Sequence, residues 1–112
     1  MSESDRIRVR HMLDAAREAL SFAEGRSRDD LTHDRMFALS LTGEIQIIGE
    51  AASRVSPEMR QSVSSIPWGE IIGMRNRLIH AYAEINLDIL WDTVRLALGP
   101  LIVELEKLLA RV

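Results

Sequence analysis

A chain of 112 residues with 46% apolar and 28% charged side chains has the balance of one globular domain, residues 1–112, and not of a disordered segment. Its formal charge of −3 argues against a protein that grips nucleic acid by bulk electrostatics, and the lack of cysteine excludes disulfide frameworks and thiolate metal sites. No apolar run approaches the ~20 residues of a membrane span and no signal-peptide pattern opens the chain, so a soluble, cytoplasmic protein with no membrane partner is expected.

The pattern is helical almost throughout, with no sustained alternation of period two. Val9, Met12, Leu13, Ala16, Leu20 and Ala23 form a stripe that predicts a first helix over residues 5–24, stopped at Gly25. RSRDD (26–30) then reads as a short polar loop. A second helix is expected from Thr32 to Val55, burying Ala38, Leu41, Ile45, Ile48, Ala52 and Val55. Its opposite row, Met36, Ser40, Gly43, Ile47, Glu50 and Arg54, is too apolar for a purely solvated surface and predicts contact on two sides.

Pro57 restarts the chain with one short turn through Met59 to Ser62. A third helix is predicted from Pro67 to Tyr82, with Ser65 as N-cap and Pro67 in the first turn. A fourth begins near Asn86 and buries Leu87, Leu90, Val94, Leu98, Leu101, Leu105 and Leu108, with a kink or break at Gly99-Pro100. The expected fold is all-α: an antiparallel four-helix bundle with a short extra turn between the second and third helices.

Charge is distributed unevenly. Residues 51–80 hold only Glu58 and Glu70 against Arg54, Arg60, Arg75 and Arg77, which predicts a local positive patch on an acidic chain. The segment GMRNRLIHAY (73–82) stands out within it. On a helical wheel of about 100° per residue, Arg75 falls amid Trp68, Ile71, Ile72, Leu78, Ile79 and Tyr82. An arginine facing a core needs a partner, because an uncompensated buried charge costs several kcal/mol. Glu50 and Glu44 on the preceding helix are the candidate carboxylates. Gly69, Gly73, Asn76 and His80 occupy the other arc at the spacing of a helix–helix seam, where two glycines would permit close approach of a second copy across a two-fold axis. No HExxH, calcium loop, phosphate loop or nucleophile elbow occurs, so neither a metal nor an organic cofactor is expected.

The signature Arg-x4-His-x-Tyr, here Arg75, His80 and Tyr82, with Asn76 after the arginine and the flanks IIGEAASRVS (47–56) and IPWGEIIGMRNRLIHAY (66–82), resembles the HepT-like branch of the HEPN superfamily. These are the toxins of bacterial HEPN–MNT (type VII) toxin–antitoxin pairs. The resemblance covers residues 5 to 109, including the leucine-rich last helix with its internal Pro100. It implies the HEPN bundle and a metal-independent endoribonuclease working as a homodimer, with Arg75 and His80 of both subunits lining a shared cleft for RNA. It also implies a cognate minimal nucleotidyltransferase (MntA-like) antitoxin that neutralises the toxin by AMP transfer to Tyr82.

Such chemistry suits these side chains. Attack of a ribose 2′-hydroxyl on the adjacent phosphorus needs a base, an acid and a cation. Histidine titrates near neutrality and arginine keeps a planar fork for phosphate oxygens. His80 is accordingly assigned to proton transfer, Arg75 to phosphate binding and Asn76 to positioning. On an ideal helix Arg75 and His80 lie about 140° apart, so they share one phosphate only if the helix end deforms or a second chain supplies one of them. The competing expectation is a non-catalytic HEPN module that binds substrate or partner for a nucleotidyltransferase.

Overall fold

The computed structural model describes residues 1–79 and 84–111, and of residue 75 the backbone alone. It is all-α. The elements are α1 (Glu3–Ala23), α2 (Arg28–His33), α3 (Arg35–Arg54), α4 (Pro57–Ser62), α5 (Trp68–Leu78), α6 (Leu87–Asp92) and α7 (Leu98–Leu109), with a π-helical turn, Thr93–Ala97, joining α6 to α7. Among the described residues no helix is long and apolar enough to cross a membrane.

The apolar stripes do what their spacing predicts. Val9, Met12, Leu13 and Ala16 on α1 are buried against Ala38, Leu41, Ile45, Ile48 and Ala52 on α3 and Leu98, Leu101, Leu105 and Leu108 on α7, in one connected core. Helix α3 is central, packing α1 on one side and α5 on the other, while α1 also packs α7. The antiparallel run of α1 and α3 is tied at one end by Asp5. Ser56 donates to it twice, from its backbone N–H at 2.8 Å and its hydroxyl at 2.6 Å. Burial pushes the Asp5 carboxyl up, but these bonds outweigh it and hold the group below the ordinary aspartate value. Ser56 in turn caps α4, accepting from Met59 N–H, so the short extra turn is stitched into the bundle.

The region 26–54 departs from the predicted loop and single long helix. Residues 28–33 form a helix of their own. Ser27 N–H donates to the Asp30 carboxylate at 2.8 Å, and Asp34 starts α3 by accepting from Phe37 N–H at 3.1 Å. Arg26 bridges Asp30 and Asp34 and lies 4.0 Å over the Phe37 ring, a cation–π contact. Capping carboxylates and one arginine thus shape what hydropathy reads as loop.

The expected break at Gly99-Pro100 takes another form. Proline lacks an N–H and its ring crowds the carbonyl four residues back. The helix continues through Pro100, and the preceding turn widens: Leu98 N–H bonds to Thr93 O, one residue beyond the α spacing. Thr93 is buried, and its hydroxyl donates to Ile89 O at 2.7 Å.

Helix α5 is described over Trp68–Leu78, inside the predicted Pro67–Tyr82. It starts at Trp68, with Pro67 O accepting from Ile71 N–H, so Ser65 is not its cap. Its described end is Leu78, whose carbonyl accepts from Asn86 N–H at 2.8 Å. Ile79 then pairs with Ile85 in an antiparallel bridge. The bridge follows Leu78 directly, and residues 80–82 of the predicted helix lie outside the described residues.

Candidate active site

Trp68 and Leu78 are buried, and Ile71, Ile72 and Ile79 are half-buried, so the arc the wheel assigns to the core does face it. Trp68 donates its indole N–H to Val63 O at 3.0 Å, which anchors the start of α5. The backbone of Arg75 stands on this helix beside Asn76; the Arg75 side chain, His80 and Tyr82 lie outside the described residues. The described helix stops at Leu78 and Ile79 is bridged to Ile85, so the wheel is tested only as far as Leu78.

Asn76 is exposed and lines a groove of about 450 Å³ between α3 and α5, together with Ile72 and with Ile45, Gln46, Gly49, Glu50 and Ser53. Gly49 explains how the two helices come together here. A Cβ at this position would stand 3.2 Å from Ile71 O, so a side chain would push α5 away from α3. The predicted close-approach glycines behave differently: among the described residues nothing lies within 4 Å of a Cβ built at Gly69 or Gly73.

The two candidate carboxylates have partners of their own. Glu50 Oε1 accepts from Arg54 Nε at 3.0 Å and Nη2 at 2.9 Å, at the rim of the groove. Glu44 is 8% exposed and faces Glu18 on α1. Burial, a hydrogen bond shared with Glu18 and the charge of that neighbour push its carboxyl up from the ordinary 4.5 to about 7. An acid in that setting holds its proton near neutrality. Whether either carboxylate meets Arg75 falls outside the described residues.

Gln46, Gly49 and Ser53 were not singled out by the sequence. The signal was their spacing, which puts all three on the face of α3 turned toward α5. Among the described residues no group of three or more His, Asp or Glu side chains is placed to hold a metal ion. Among the described residues the groove brings together two side-chain amides, a hydroxyl and a carboxylate over an apolar floor, which is equipment for hydrogen bonding to a polar planar ligand.

Comparison with known proteins accords with the signature. Residues 12–108 match the family described as "Ribonuclease HepT-like". The chain is 34% identical over 86 residues to "Putative RNase TTE0752" of Caldanaerobacter subterraneus, covering 77% of each chain. It is 32% identical over 95 residues to "Probable ribonuclease HepT" of Thermococcus cleftensis, covering 81% of this chain and 86% of that one. It is 29% identical over 84 residues to "Putative RNase MJ1380" of Methanocaldococcus jannaschii, covering 75% of this chain and 77% of that one. No solved structure matches. The chain belongs to the HepT-like ribonuclease family of HEPN proteins.

Proposed function

We propose that this protein is a metal-independent RNA endonuclease, the toxin of a type VII toxin–antitoxin pair, acting from the cytoplasm as a homodimer. The observation that carries the reading is the Arg75-x4-His80-x-Tyr82 signature within the family-matched span, beginning on a helix where the next residue, Asn76, lines a polar groove. His80 removes the proton from a ribose 2′-hydroxyl, the 2′-oxygen bonds to phosphorus, and the bond to the 5′-oxygen breaks. A second proton donor, the partner's His80, protonates that leaving oxygen. The products are a 2′,3′-cyclic phosphate and a 5′-hydroxyl, and no water is consumed in this step. Arg75 holds the phosphate oxygens as charge develops, and Asn76 positions the substrate.

The uncovered face of α3 supports the dimer. Met36 and Ile47, on the row the sequence marks as too apolar for solvent, are 79% and 47% exposed, and Leu39 beside that row is 48% exposed. This row adjoins the groove through Gln46 and Glu50, so a copy seated on it would bring a second set of motif residues toward the first.

Neutralisation follows from Tyr82. A cognate nucleotidyltransferase directs the Tyr82 hydroxyl oxygen to the α-phosphorus of ATP; the phenolic proton is lost and pyrophosphate leaves. The resulting AMP adds bulk and negative charge where RNA phosphate must bind. Incubation with the partner enzyme and ATP is expected to add one AMP mass to wild type and none to Tyr82→Phe; equal labelling of the two would reject Tyr82 as the acceptor.

A further inference from the structure

We propose that the α3–α5 groove is a nucleobase subsite that takes one unstacked base of single-stranded RNA and favours guanine. This rests on the ribonuclease reading above and adds to it a substrate preference. Three features of the groove argue for a base over a phosphate. Its volume of about 450 Å³ falls within the roughly 300–1,000 Å³ of small-molecule sites. Its floor is apolar, with Ile45 buried and Ile72 half-buried, which suits the face of a planar ring. Its polar rim holds the carboxylate of Glu50 beside Gln46, Ser53 and Asn76, and a carboxylate accepts from the N–H groups of a base edge, which phosphate lacks.

Guanine is favoured because of how donors are arranged on the bases. Single-stranded RNA is read on Watson–Crick edges splayed from the stack. Only guanine sets two adjacent N–H donors, N1–H and the N2 amino group, before one carboxylate, with an acceptor, O6, next to them. Glu50 answers the donors, and a side-chain amide N–H of Asn76 or Gln46 answers O6. Adenine and cytosine offer the carboxylate a single amino group, and uracil a single ring N–H. Arg54 holds Glu50 through Oε1, fixing the carboxylate at the rim without removing its charge. Asn76 is the link to chemistry, since it follows Arg75 directly in the chain. A base held there belongs to a nucleotide next to the phosphate at Arg75.

Two measurements test this. In the first, cut sites are mapped in a random-sequence RNA. Wild type is expected to show guanine enriched about tenfold or more at one fixed position beside the cut, from the discrimination of a bidentate pair. Glu50→Gln is expected to lose that enrichment, because an amide no longer accepts both donors; the readout is the ratio among bases, not the rate. In the second, side-chain amide NMR signals of Gln46 and Asn76 are followed on adding GMP, AMP, CMP, UMP or inorganic phosphate. GMP is expected to shift both signals at concentrations at least tenfold lower than the others. Cleavage without base preference, or shifts equal for all four nucleotides or reproduced by inorganic phosphate, would overturn the subsite and leave the nuclease standing. GMP-selective shifts in a protein that cuts no RNA would uphold the subsite and reject the nuclease.

Discussion

Glu44 makes the folded state sensitive to pH in a calculable direction. Its carboxyl is buried on α3 against Glu18 and titrates near 7 instead of 4.5. In the unfolded chain it loses its proton near the ordinary value. Between these two values the folded state therefore binds more protons, and stability falls as pH rises. The penalty is absent below about pH 4.5 and complete above about pH 7. At about 1.4 kcal/mol per pH unit the gap corresponds to about 3 kcal/mol at most, and solvent at the Glu18 end screens it to about 1–2 kcal/mol. Glu44→Gln keeps the shape, stays neutral and can donate to Glu18. The variant is expected to match wild type near pH 4.5 and to exceed it at pH 8 by about 1–2 kcal/mol, or several degrees in Tm for a domain of this size. Urea unfolding followed by circular dichroism at the two pH values measures this. A variant-minus-wild-type difference that is the same at pH 4.5 and pH 8, or a variant less stable at pH 8, would refute the reasoning.

Asp5→Ala removes the acceptor for both Ser56 donors and is expected to cost about 1–3 kcal/mol in urea unfolding at pH 7. Because the Asp5 carboxyl is held below its ordinary 3.8, that contribution is present at neutral pH. It is lost as pH falls through the folded value, so the gap between variant and wild type should close in acid. Gly49→Val drives a branched side chain into a contact that is already 3.2 Å at Cβ; the gain in helix propensity is outweighed, with a net loss of about 1–3 kcal/mol by thermal unfolding. A Gly49→Val protein as stable as wild type would mean that α5 does not need that close approach to α3.

The parts of the fold legible in the sequence are those set by periodicity. The buried faces of α1, of α3 and of the run from α6 through α7 follow their apolar stripes residue for residue, from Val9 to Ala16, Ala38 to Val55, and Leu90 to Leu108, because a stripe of this spacing has only one way to leave water. Helix α2 was not legible: six residues carry too little periodicity, and it depends on Asp30, Asp34 and the bridging Arg26. Nor was the end of α5, since its stop comes from residues after it, the Asn86 N–H on Leu78 O and the Ile79–Ile85 bridge. The site divides along the same line. Asn76 was visible from its motif, whereas Gln46 and Ser53 acquire meaning only when Gly49 lets α3 and α5 meet. Arg75, His80 and Tyr82 were visible as a pattern, and their roles rest on that pattern and on the family it marks.

The most direct test of the central claim is cleavage of RNA by the free protein in the presence of a chelator. Wild type is compared with Arg75→Ala and His80→Ala, and product ends are identified by mass. Wild type is expected to cut, leaving 2′,3′-cyclic phosphate and 5′-hydroxyl ends, and each variant to lose at least about 100-fold in rate. Cleavage by His80→Ala at the wild-type rate, or chelator-sensitive cleavage leaving 5′-phosphate ends, would contradict the account.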